Sequence, residues 1–166
     1  MPHPPLRPIS EPFARFFLRL FLLPCVLMAL GLPAMASAAD DVIRHSAKGS
    51  YEDVKDAVVM AIEGKGLVVD RVAHVGDMLA RTAKDVGATR RLYGKAEVLE
   101  FCSARISREM MEADPHQIAI CPYTIAVYTL PEEAGVVYVT YRAPPRANGM
   151  DNVRKLLDEI VREALR

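Results

Sequence analysis

Near the C-terminus, Val153, Leu156, Leu157, Ile160, Val161 and Ala164 recur at three- and four-residue spacing. A helix over about residues 150–165 gathers them into one apolar stripe. Such a helix is marginal alone in water and must lie on an apolar surface supplied by the rest of the chain. A second helix has the same requirement. Ser50 followed by Asp53 reads as a capping box with aspartate in place of glutamate. Behind it Tyr51, Val54, Ala57, Val58, Ala61 and Ile62 share one face. Gly64-Lys65-Gly66 then provides the stop, because glycine accepts the left-handed turn that ends a helix.

Segments of a different periodicity supply the surface. Leu67-Val68-Val69 opens a β-branched strand reaching about His74, and a short amphipathic segment follows at Gly76–Ala83. Lys84–Lys95 reads as a polar loop. Ala96–Cys102 alternates with period two, so Leu99 and Phe101 share one face, with Val98, Glu100 and Cys102 on the other. Ser103 caps a helix with Ile106, Met110 and Met111 on its apolar side. Asp114-Pro115 ends it, since the residue before proline is pushed out of helical geometry. Two strands are expected at Ile118–Cys121 and Tyr123–Leu130, divided by Pro122, and Pro131–Gly135 turns the chain into a returning strand at Val136–Tyr141. With no internal repeat and no long linker, the economical architecture is α+β: a mostly antiparallel sheet with helices packed on one face.

The N-terminal residues read as an address. Arg7, Arg15 and Arg19 precede an uncharged apolar run from Leu20 to Leu32, and small residues from Pro33 to Ala39 lead into Asp40-Asp41. That order is a secretory signal peptide, with Ala36-Ser37-Ala38 fitting a cleavage site after Ala38. The expectation is a leader at 1–38, a single domain at 39–166, and a periplasmic or secreted protein without a stable membrane anchor. Two alternatives are an uncleaved N-terminal membrane anchor over Leu20–Ala39 and lipidation at Cys25. Cleavage takes three of 21 basic and one of 21 acidic residues, leaving 18 against 20 in 128 residues. So balanced a charge argues against a nucleic-acid binder, and the remaining chain is long enough for a real core.

Motif searches mostly exclude. The chain has no CxxC, HExxH, GxSxG, phosphate-cradling glycine loop or dinucleotide fingerprint. His45, His74 and His116 stand at no ligand spacing. No catalytic residue is assigned, and the expected function is a non-enzymatic periplasmic binding or interaction module, a homodimer through a sheet or helix surface. Tyr123, Tyr128, Tyr138 and Tyr141 suit a half-buried sheet, a small pocket or a subunit contact. Arg90-Arg91 reads as solvated loop charge or a contact for a small anion.

Cys102 and Cys121 remain after the leader is removed, both at expected strand ends and in an oxidising compartment. The bland reading is a structural disulfide closing a loop of about nineteen residues, worth about 3 kcal/mol. A second makes Cys102 a reactive thiol, its thiolate stabilised at a helix N-terminus, with Cys121 as resolving partner. A third makes Cys102, Cys121 and His116 soft ligands for copper or zinc. Two buried, unpaired thiols complete the choices.

The helix–Gly-Lys-Gly–strand unit at Ser50–Val69 resembles the domain-of-unknown-function 302 family. So do Val98-Leu99-Glu100-Phe101-Cys102, Ala113-Asp114-Pro115, and Ile120-Cys121-Pro122-Tyr123 leading into a strand. The resemblance covers roughly residues 49–141. The family's cysteine turn is typically a Leu-Pro-Cys segment, whereas here Cys121 precedes the proline, and Cys102 falls at the small-residue turn before the middle helix. The resemblance implies a compact α+β fold, often dimeric, with no established activity, and this chain would fall in an exported subgroup carrying two cysteines.

Overall fold

A computed structural model describes residues 42–166. The expected leader at 1–38, the alternative anchor and Cys25 lie outside the described residues. Among the described residues no helix is long and apolar enough to cross a membrane.

Five strands form one antiparallel sheet: β1 (Val42–Lys48), β2 (Val69–Ala73), β3 (Ala96–Phe101), β4 (Tyr123–Tyr128) and β5 (Val136–Arg142), in the order β1-β5-β4-β3-β2. The helices are α1 (Tyr51–Gly64), α2 (Val75–Thr82), α3 (Ala104–Ala113) and α4 (Asp151–Ala164), with a 3-10 turn at Pro115–Ile120. The α+β expectation holds.

Alternation along the central strands builds the core. Leu99 and Phe101 of β3, Ile125 and Val127 of β4, and Val137 and Val139 of β5 are all buried on one face. The stripes of α1 and α4 close over them, with Val58, Ile62, Val153 and Ile160 fully buried. Each such side chain contributes about 1.5–3 kcal/mol by leaving water. The exposed Arg105–Glu109 and Arg108–Glu112 pairs on α3 contribute only a few tenths each, so burial decides the fold. The caps follow the sequence: Ser50 Oγ accepts the Asp53 N–H at 3.1 Å, and Ser103 Oγ accepts the Ile106 N–H at 3.4 Å.

Two segments differ from expectation. Ile118–Cys121 is not a strand. Pro115–Ile120 forms a 3-10 turn capped by Asp114, whose side chain accepts the His116 N–H at 3.0 Å. Gln117 is buried there and donates to Asn148 O, while Ile118 is exposed, so the short apolar run does not line a sheet face. The second difference is β1, an edge strand pairing with β5 from Val42↔Arg142 to Lys48↔Val136, where no element was expected.

The opposite face of the sheet is largely open. Tyr128 stacks on Tyr138 with ring centroids 5.2 Å apart, and Tyr93 meets Tyr128 edge-on at 5.4 Å. Unlike the other helices, α2 has no buried residue. It leans on the Ala96 end of β3, where Gly76 backs onto the Ala96 backbone.

Candidate functional site: the two sulfurs between strand ends

Strands β3 and β4 run antiparallel in a register that pairs Phe101 with Tyr123. The residues just outside that pair are the turn into α3 and the exit from the 3-10 turn, so Cys102 and Cys121 arrive side by side. Their sulfurs lie 2.6 Å apart although the residues are 19 apart in sequence. Cys121 is joined to Pro122 by a cis peptide bond. Both cysteines are half-buried.

Polar neighbours sit on one side of the pair. Ser107 Oγ, on α3, stands 3.7 Å from Cys121 Sγ and 3.0 Å from the Tyr123 hydroxyl. Burial pushes the Cys102 thiol up to about 12; the Cys121 sulfur and the Asp70 carboxylate add to this, and the Tyr123 backbone N–H opposes it. That direction is opposite to the one expected from the helix N-terminus behind Cys102, and loss of solvent around the sulfur is its largest cause. Burial likewise raises the Tyr123 phenol, whose hydroxyl meets Ser107 Oγ.

The third expected residue does not join them. His116 is an exposed side chain of the 3-10 turn. Among the described residues no three His, Cys, Asp or Glu side chains are grouped so as to hold a metal ion. His116 is thus not grouped with Cys102 and Cys121 as a third soft ligand for copper or zinc.

A second polar constellation lies at the Ala96 end of β3, and sequence reasoning missed it. Glu97, only 16% exposed, bonds His74 Nδ1 at 2.9 Å and pairs with Lys55 Nζ at 3.1 Å. Burial pushes the Glu97 carboxyl up, but Lys55, Tyr51 and His74 together outweigh it and hold the group below its ordinary value. Burial, then the Glu97 charge, raises the Tyr51 phenol strongly. Lys55 and Lys95 stand 5.8 and 5.4 Å from the Tyr51 ring centroid, and Lys95 also pairs with Glu52. No spacing along the chain could have announced this cluster, because it draws on α1, β3 and the β2–α2 junction.

A five-stranded antiparallel sheet with helices on one face, and two cysteines at neighbouring strand ends, define a small α+β protein. The chain belongs to the family described as Domain of unknown function DUF302, whose model matches residues 43–166. The fold is also that of the crystal structure of uncharacterized conserved protein DUF302 from Bacillus stearothermophilus, at a TM-score of 0.54 and 14% identity, covering 74% of this chain and 91% of that one. No curated protein matches the chain. The family match reaches beyond the region where resemblance was read, taking in most of β1 and all of α4.

Proposed function

We propose that this is an exported, non-enzymatic binding or interaction module whose Cys102 and Cys121 form a structural disulfide. The observation that carries the reading is the contact of the two sulfurs at 2.6 Å. Formation of the bond removes two protons and passes two electrons to a disulfide-donating oxidant of the periplasm, where disulfides persist. It would tie the β3–α3 turn to the start of β4. A raised Cys102 thiol disfavours an attacking thiolate, and so supports a structural bond over a redox-cycling pair.

Counting thiols on protein purified from the periplasm and unfolded in alkylating reagent tests this. The reading expects no free thiol before strong reduction and two afterwards. Two free thiols at the outset would overturn it, and a pair opened by mild reductant would favour the redox alternative.

The same reading makes the protein a homodimer through the open sheet face, supported by the half-buried Tyr128–Tyr138 stack there. Sedimentation should give a dimer that Tyr138→Glu dissociates. A monomer at all concentrations would remove the dimer from the account.

A further inference from the structure

One amphipathic helix leaves much of its apolar side uncovered: Gly76 backs onto Ala96 of β3, but no residue of α2 is buried. In α2, Gly76, Leu79 and Ala80, followed by Ala83 just past its end, fall at i, i+3, i+4 and i+7, the pattern that elsewhere in this chain faces the core. Here the stripe lines a cleft of about 500 Å³, closed on the other side by Val86 and Leu92 of the following loop. Val86 is 75% and Leu92 44% exposed, and Ala80 on the helix wall is exposed as well, so apolar side chains on both walls meet water. Glycine and alanines keep the helix wall low, and the volume falls within the range of small-ligand sites.

The charge on the cleft is of one sign. Arg90 and Arg91 are its charged lining residues, and no carboxylate lines it. Arg91 is already engaged with its own loop, donating from Nε to Tyr93 O at 2.9 Å and from Nη2 to Gly94 O at 2.7 Å. Those bonds hold its charge at the wall. Arg90 is exposed and is in no ion pair among the described residues. An apolar trough with an uncommitted guanidinium at its rim complements a molecule with a greasy tail and an anionic head.

We propose that the α2 cleft binds a single-chain amphiphile with a carboxylate head, the chemistry of a free fatty acid. The acyl chain lies along Leu79, Ala80 and Ala83 against Val86 and Leu92, and the carboxylate accepts from Arg90. This rests on the reading of the protein as a binding module but not on its cysteines. The thiol count and the binding experiment therefore fail separately.

The test is calorimetric titration of the purified mature protein with dodecanoate below its micellar range, with dodecyltrimethylammonium as the chain-matched cation. Dodecanoate should saturate one site per chain and the cation should not. Arg90→Glu should weaken dodecanoate about ten-fold or more, as loss of one charge-assisted contact does, with an unchanged thermal melt. Ala80→Phe, which fills the trough from an exposed position, should abolish binding. No saturable binding, equal binding of the cation, or an Arg90→Glu variant of unchanged affinity would overturn the proposal. So would an acidic amphipathic peptide that binds the cleft where dodecanoate does not.

Discussion

Cys102 Sγ stands 2.6 Å from Cys121 Sγ because the strands on which they border pair Phe101 with Tyr123. If the two are bonded in the native protein, Cys102→Ser and Cys121→Ser should each lower unfolding stability by about 3 kcal/mol, and the double variant should lose no more than either. Denaturant unfolding measures all three. Additive losses would mean the residues contribute independently.

The reduced protein should respond to pH in a direction fixed by the buried thiol. Cys102 is pushed from about 9 to about 12, so between these values the native state binds more protons than the unfolded chain. Stability of the reduced form should therefore fall as pH rises through that window, with the contribution fully present below it. Cys102→Ser should flatten the slope. Parallel pH dependences in melts of the two reduced proteins would contradict the assignment.

Glu97 has the opposite sign. Its folded carboxyl is held below the ordinary value near 4.5, so its contribution is present above that pH and lost as pH falls through the folded value. Glu97→Gln should cost about 1–3 kcal/mol near neutrality, since the partners Lys55 and His74 lose a buried carboxylate. The gap from wild type should close in acid. A gap independent of pH would mean packing, not charge, is what the substitution disturbs.

Gly76 tests how closely α2 approaches the sheet. A Cβ there would sit 2.9 Å from Ala96 N and 3.3 Å from Ala96 O, both backbone atoms of β3. Alanine's better helix propensity is worth at most about 1 kcal/mol, whereas forced overpacking costs about 1–3 kcal/mol. Gly76→Ala should therefore lower Tm, and a rise would show that α2 moves freely away from β3.

The sequence made some of this legible and hid the rest for identifiable reasons. Helices α1 and α4 were readable because Val58, Ile62, Val153 and Ile160 repeat at helical period and are all buried. The sulfur pair was readable in outline, since both cysteines border strands with a helix between them, but the register that joins them belongs to the sheet alone. Pro115–Ile120 misled because a short apolar run does not distinguish a strand from a helical turn; the deciding features are the Asp114 cap and the inward Gln117. Strand β1 was hidden because its inward residues Ile43, His45 and Ala47 are only half-buried, giving a weak alternation at a sheet edge. The Glu97 cluster is tertiary throughout: His74 and Glu97 are 23 residues apart and meet across paired strands.

The most direct measurement is the intact mass of the protein recovered from the periplasm, alkylated while unfolded and without reductant. The account predicts a chain beginning at Ala39, unalkylated and lighter by two hydrogens than its reduced form, with proteolytic mapping joining Cys102 to Cys121. A chain carrying alkyl groups on both cysteines before any reduction would contradict it.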